Sequence, residues 1–454
     1  MAAKSSQYFA IQGNQTKRIY DGRYNVARPA NTNGPPIQLF NPAFAYFSSK
    51  AFDPEYHVPK EFIQDVIGFM ATFAAIHCSE VDRTKHLHPS LAKIIGWPIV
   101  AAENRDRTVP DAVVNSYSYG HHRLFLIISE EKNEFGDGGS DPSVQASFSF
   151  QRVMSQEENV WVREGCCFPV FLIAHAGPWL TVSGAIITSE CVVQRLTDFI
   201  WIPIHSVCDD EQYFRVGRVL YALRESVKRL DMWYRTVLKI DENPPISSRF
   251  RFCPTPDAFL HDSKPVTFAY VTPLERDPSC MTYLAKTKEG NRVVVKFVTR
   301  YGADAHHVMA AAGFAPKLLY HGLINIKDDM PSYGNLRMVV MEYVEGMTLH
   351  DAIQGKKCLP GFSASLRKAI VLLHCQNFVF GDLREPNIMV TPDGNAQLID
   401  FDWAGQEGVV TYPPSISPSI LWAKGTRALE FIRKEHDLHM VTLVEADYKK
   451  HCSM

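Results

Sequence analysis

Residues 379–402 read VFGDLREPNIMVTPDGNAQLIDFD. Two short apolar runs, Ile388–Val390 and Ala396–Ile399, flank Pro392-Asp393-Gly394, a turn tripeptide, so the stretch reads as a hairpin. Asp382 and Asn387 lie five residues apart on the loop entering the first strand, and Asp400 closes the second. The hairpin therefore brings two carboxylates and an amide to one mouth. Phosphoryl transfer needs such a set: a carboxylate facing the attacking hydroxyl, and an amide plus a carboxylate to hold Mg²⁺ on the phosphates. Taken singly, each residue is equally an Asx turn or a strand cap; three in register point to chemistry.

Working outward, Asn291–Val298 (NRVVVKFV) alternates Val293, Val295 and Phe297 with Val294, Lys296 and Val298. This is a strand with a cation at its centre. Alone, Lys296 reads as an edge lysine snorkelling to solvent; beside the hairpin it reads as a lysine aimed at phosphates.

Together these residues resemble the protein-kinase superfamily over residues 265–445. Lys296 matches the strand lysine, Asp382 the catalytic-loop aspartate, Asn387 the metal-binding asparagine and Asp400 the metal aspartate of the Asp-Phe-Gly signature. Leu336–Leu349 (LRMVVMEYVEGMTL) looks like the fifth strand, hinge and next helix start, with Met341 as gatekeeper and Glu342 and Val344 as backbone contacts for adenine. The resemblance implies ATP and Mg²⁺, Asp382 as base, Arg384 neutralising the transferred phosphoryl, and a protein hydroxyl of the serine/threonine type as acceptor. Asp437, in Ile432–Met440 (IRKEHDLHM), matches the buried aspartate that holds the catalytic-loop backbone.

The departures are specific. Pro273–Lys286 (PLERDPSCMTYLAK) has no glycine where kinases carry a glycine-rich loop. Phe380-Gly381 replaces His-Arg, so Gly381-Asp382 is similar to the aminoglycoside-phosphotransferase-like kinases, which leaves a small alcohol or amino sugar as an alternative acceptor. Asp402 stands at the signature glycine, and no Ala-Pro-Glu follows. The helix after Lys296 lacks glutamate, leaving Asp304 or His306 as the nearest partner for the lysine. These losses keep open a pseudokinase binding module. The strings GDLREPN, LIDFDWAG and EHDL resemble a kinase-like family of mushroom-forming fungi.

The N-terminal half carries a second pattern. Asp111 opens an apolar strand after Pro110; Glu130 and Lys132 end the run LFLIIS and, two apart, share a strand face; Gln145 sits early in a helix opened by Asp141-Pro142. The order resembles the PD-(D/E)XK nuclease-like fold, which implies Mg²⁺ on Asp111 and Glu130, with Lys132 activating water against a phosphodiester; Glu80 is a further candidate ligand. The loop Asn133–Asp141 (NEFGDGGSD) resembles fungal proteins that join such a domain to a kinase-like one, including Crinkler-type proteins, although no Crinkler leader motif is visible.

The expected fold class is α+β: a two-lobed kinase-like domain over 265–454, preceded by an α/β PD-(D/E)XK nuclease-like domain over 59–240, with a loosely ordered arm over 1–58 and a proline-rich linker over 241–264. Helices are expected near 60–73, 80–95, 144–154, 213–237 and 304–312, and a hairpin over 168–187. The 454 residues suffice for two or three cores. Lys+Arg number 47 against 49 Asp+Glu; residues 1–250 hold 25 basic and 27 acidic, the rest 22 of each. Neither half has the basic excess that phosphate-backbone binding leaves, so nucleic acid is not favoured as a partner. There is no run of 18 apolar residues, no apolar signal-like N-terminus and no Cys-x-x-Cys among the ten cysteines. The expectation is a reduced chain of cytosol or nucleus with no membrane partner. The pairs His121-His122 and His306-His307, with His86 and His88, read as surface or capping histidines, and Cys166-Cys167 as buried thiols.

Overall fold

A computed structural model describes residues 4–100, 110–116, 124–202, 204, 209–238, 249–275, 277–324, 333–357 and 360–452. The chain divides into two compact units. One is Met1–Asp257 with Glu275–Cys280 and Lys327–Gly334; the other is Ala258–Leu274 with Met281–Ile326 and Asn335–Met454. Among the described residues no helix is long and apolar enough to cross a membrane.

The first unit opens with α1 (Ser5–Gln12), β1 (Ile19–Tyr20) and α2 (Pro42–Lys50). The expected loose arm is thus ordered. Its apolar residues come in short pieces between turns, but Ile37, Leu39, Phe40, Phe44 and Phe47 are all buried. Then follow α3 (Lys60–Phe73), α4 (Glu80–Ile95), β2 (Ala112–Ser116), β3 (Leu124–Lys132), α5 (Pro142–Ser155), α6 (Val160–Gly165), β4 (Val170–Ala176), β5 (Trp179–Ile187), β6 (Cys191–Arg195), β7 (Ile200–Trp201), α7 (Asp209–Val237) and α8 (Arg249–Phe252). Two helix starts follow from capping: Ser79 accepts from the Asp82 amide, and Asp141 accepts from Ser143 with Pro142 in the first turn. The expected strand near Val109–Tyr119 is Ala112–Ser116; Val109, 117–119 and the His121-His122 pair lie outside the described residues.

The strands join in the order β1-β6-β5-β4-β3-β2, with β7 on β5. β2 runs antiparallel to β3, and β3 parallel to β4 across the α5 crossover. A parallel pair is covered on both faces, which is why LFLIIS does not alternate and β3 is buried almost throughout. Gly184 on β5 lets α2 approach: a Cβ there would lie 2.3 Å from Ile37 Cδ1 and 2.7 Å from the Phe44 ring.

The second unit starts with a sheet of β8 (Ala258–His261), β9 (Lys264–Pro273), β10 (Thr282–Thr287), β11 (Arg292–Val298), β12 (Leu318–Leu323) and β13 (Arg337–Glu342), in the order β12-β13-β11-β10-β9-β8. α9 (Ala303–Ala311) lies between β11 and β12 in the chain. β8 starts inside the expected linker, where Phe259 is buried despite the surrounding prolines; residues 241–248 of that linker lie outside the described part. There follow β14 (Met347–Thr348), α10 (Leu349–Gln354), α11 (Phe362–Cys375), β15 (Phe378–Val379), β16 (Ile388–Val390), β17 (Ala396–Leu398), β18 (Gly405–Gln406) and α12 (Lys434–Cys452). β16 and β17 form the hairpin read from 379–402, with β14 alongside, and β15 pairs with β18. Leu366, Ile370, Leu373, Phe380, Leu398, Phe401 and Val441 fill the core beneath it.

Candidate active site

β11 carries Lys296 to the hairpin. Its Nζ lies 2.7 Å from Asp400 Oδ1 and 2.8 Å from Asp402 Oδ1. Burial alone would depress the Lys296 ammonium, but the two carboxylates outweigh it and hold its pKa above the ordinary lysine value. Burial would likewise raise Asp400, and Lys296 holds it below its usual range. Asp402 goes the other way, to about 7, from burial and then the neighbouring Asp400 charge. Asp400 sits at φ 67°, the left-handed region, which turns its carboxylate back toward β11.

Asp304 is not the lysine's partner. It is exposed on α9, because Ala305, His306 and Met309 take the inward face. His306 is not a surface histidine either. It is buried, accepts from Tyr301 Oη at 2.6 Å, donates to the Pro316 carbonyl at 2.8 Å, and stacks on Phe401 at 4.4 Å with planes 3° apart. The ring of the Asp-Phe-Asp phenylalanine is thereby fixed between α9 and Phe380. Asp402 is the residue that sequence reading missed as a lysine partner; its signal was visible, but only as a missing glycine.

On the catalytic-loop segment, Arg384 grips Asp382 with two bonds, Nε to Oδ1 at 2.6 Å and a terminal nitrogen to Oδ2 at 2.7 Å. Asn387 Nδ2 donates to the Asp382 carbonyl and to Oδ2, both at 2.9 Å. Burial raises the Asp382 pKa against these donors. The Ile399 amide donates to the Asn387 carbonyl at 3.0 Å, which ties the asparagine to the strand ending in Asp400. Beneath, Asp437 on α12 accepts from the Phe380 and Gly381 amides, each at 2.8 Å, and from His374 Nε2 at 3.0 Å. Gly381 is at φ 82°, and a Cβ there would lie 2.7 Å from Ile432 Cδ1, so the Gly-Asp pair has a steric cause.

At the other end of β11, Met341 and Val344 are buried and the Glu342 amide donates to the Lys317 carbonyl at 3.0 Å. The donor set suits the groups the chemistry calls for. Asp400 and Asp402 are hard oxygen ligands with Asn387 tied alongside, and Lys296 is a cation for phosphate. Asp402 Oδ1 is buried beside the Lys296 ammonium.

The first unit gathers its own predicted residues. Asp111 Oδ2 accepts from the Glu131 amide at 2.8 Å, which places its carboxyl at the end of β3 next to Glu130. Glu130 accepts from Gln145 Nε2 and Ser149 Oγ, each at 2.5 Å. Burial first, then their mutual charge, pushes the Glu130 pKa well up; burial does the same for Asp111. Lys132 Nζ lies 3.4 Å from Glu80 and donates to the Glu131 carbonyl at 2.8 Å. Ser149 was missed; it lies one helical turn beyond Gln145 on α5. Glu131 was missed too. It faces His88 at 3.3 Å and His175 at 3.4 Å, so His88 lies against a buried carboxylate and is not a cap. Burial would raise Glu131, but these histidines and Thr84 bring it down to about 2. Cys166 and Cys167 are buried thiols, as expected.

Residues 279–412 match the sequence model of the protein kinase domain. The probable serine/threonine-protein kinase mkcF of Dictyostelium discoideum is 28% identical over 168 residues, 32% of this chain and 24% of that protein. The probable serine/threonine-protein kinase CPE1738 of Clostridium perfringens is 33% identical over 78 residues, 16% of this chain and 11% of that protein. Serine/threonine-protein kinase PAK 5 of Rattus norvegicus is 26% identical over 136 residues, 24% of this chain and 19% of that protein. The alignments thus span about a quarter or less of each relative's length. They support a kinase-like phosphotransferase, and Lys296, Asp382, Asn387 and Asp400 fall inside the matched range.

Proposed function

We propose that the second unit transfers the γ-phosphoryl of ATP to a serine or threonine hydroxyl of a protein. The observation that carries this reading is the ion pair of Lys296 with Asp400 inside a region similar to kinases, with Asn387 tied to the same hairpin. Mg²⁺ held by Asn387 and Asp400 would supply charge neutralisation on the phosphates. Lys296 positions the α and β phosphates, and Met341, Glu342 and Val344 line the adenine. Asp382 orients the acceptor hydroxyl and takes its proton once Arg384 swings from the carboxylate to the transferring phosphoryl. Burial raises the Asp382 pKa, the direction that makes its carboxylate a stronger base.

The test is transfer from labelled ATP with Mg²⁺ to the chain itself and to a mixed protein acceptor. Lys296→Ala and Asp400→Ala are expected to abolish it, and Asp382→Asn to cut it by about 100- to 10,000-fold. Nucleotide binding without turnover in the wild type would select the binding-module reading; no turnover and no binding would end both.

A second reading concerns the first unit, and the gathering of Asp111, Glu130 and Gln145 around the end of β3 favours it. Two carboxyls at the end of β3, with Lys132 and Gln145 close by, form a place where a divalent cation can be held, as in the PD-(D/E)XK nuclease-like fold. Metal-dependent cleavage of DNA or RNA that survives Lys296→Ala and disappears in Lys132→Ala is the expected result. Cleavage unchanged in Lys132→Ala would dismiss this reading.

A further inference from the structure

The three residues that precede α4 and its first two turns place two imidazoles around one carboxylate. Asp82 and His86 are four apart on α4, on the same exposed stripe. The Ser79 cap folds the preceding turn back over that stripe, because its side chain accepts from the Asp82 amide. His77 thereby lies beside Asp82, with Nδ1 at 3.1 Å from Oδ2, and its ring stacks on His86 at 5.4 Å with planes 26° apart. His86 Nδ1 donates to the Asp82 backbone carbonyl at 2.8 Å and lies 3.6 Å from Asp82 Oδ1. One ligand atom from each of the three residues lies within 4.8 Å of the other two.

This is no loose surface cluster. The His77 side chain is only 10% exposed. Its carbonyl accepts from Asn133 Nδ2 at 2.9 Å, which anchors the turn to the residue after β3. Its Nε2 is buried and has no hydrogen-bond partner among the described residues, so no bond on that edge orients the ring. What holds the ring in place is the carboxylate side, where the ligands converge.

We propose that His77, Asp82 and His86 form a binding site for a borderline divalent metal of the Zn²⁺ class. Two nitrogens and one carboxylate oxygen are the donor set for Zn²⁺, and not for Mg²⁺ or Ca²⁺, which prefer all-oxygen shells. The metal replaces the proton that His77 shares with Asp82, and water completes the shell. Bound there, it ties the 77–79 turn to α4 one residue from Glu80, the partner of Lys132. Cys78 lies alongside, its Sγ 3.9 Å from Asp82 Oδ2. The site is separate in residues and in metal preference from the carboxylates assigned to phosphate chemistry. It also gives His86, read from the sequence as a surface or capping histidine, a ligand role.

The experiment uses the full chain, free of any histidine tag, stripped with a chelator and titrated with Zn²⁺ against a chromophoric chelator. One tight equivalent is expected, with a raised melting temperature. The exposed-site variant His86→Gln, and His77→Asn combined with it, are expected to weaken that equivalent by about 10- to 100-fold or more. Mg²⁺ in place of Zn²⁺ is expected to give no such equivalent. A circular-dichroism spectrum equal to wild type shows that the variants fold. Zinc affinity unchanged in the folded double variant, or no tight equivalent in the wild type, overturns the site.

Discussion

At the level of single residues, His306 shows how burial sets chemistry. The Pro316 carbonyl can only accept, so His306 Nε2 carries the proton and Nδ1 accepts from Tyr301. Both nitrogens are satisfied in the neutral ring, and burial lowers its pKa to about 4. In the unfolded chain the ring titrates near 6.5. Between these values the unfolded state binds more protons, so this contribution to stability is complete above about pH 6.5 and is lost as pH falls toward 4. The expected loss is about 2 kcal/mol between pH 7.5 and 5. Urea unfolding of the wild type and of His306→Gln at both values checks it. The variant should be less stable at pH 7.5 yet show a shallower fall, and equal slopes would reject the assignment. Because the ring stacks on Phe401, acid should also loosen the turn that presents Asp400.

Among elements, the decisive joint is α12 under the loop that carries Asp382. Asp437 lies in the first turn of α12, where a carboxylate is favoured by the helix dipole, and satisfies two loop amides at once. Asp437→Ala leaves those buried amides and His374 unpaired, a cost of about 2–5 kcal/mol. The Lys296–Asp400 pair does not pass through this joint. Asp437→Ala is therefore expected to reduce turnover more than nucleotide affinity, with Asp437→Asn recovering part of the loss; matched loss of both would show that the whole unit had failed. The same scale explains what could be read from the chain. α3 and α4 were legible because apolar spacing and caps agree, and β11 because its alternation isolates Lys296. α1 and α2 were not, since their buried residues are scattered among polar turns and gain cover only from distant segments, Tyr8 from Phe148 on α5 and Phe44 and Phe47 from Phe171 on β4. Asp304 was misplaced because the chain shows that a helix follows Lys296 but not which way it faces. Asp402 reaches Lys296 only through the left-handed turn at Asp400, a backbone feature that no residue type at that position announces.

For the whole molecule, near-neutral charge in both halves removes long-range steering as a driver of partner choice, and leaves local geometry to decide. Each unit has its own sheet, and each has its own set of polar residues. A chain built this way need not unfold as one cooperative block. Calorimetry is expected to resolve two transitions, and Mg²⁺ with ATP should raise only that of the unit holding Lys296 and Asp400. At a hundredfold excess over Kd the stabilisation is about 2.7 kcal/mol. For a unit of this size that is a rise of roughly 5–10 °C. Asp400→Ala should remove the rise while leaving the other transition in place, because the proposed Mg²⁺ site then loses an oxygen and Lys296 loses one of its two carboxylate partners. A rise of equal size in both transitions would mean that nucleotide binding is not confined to the kinase-like unit. No rise in the wild type would remove the support that the Lys296 ion pair lends to phosphoryl transfer, whatever the sequence likeness.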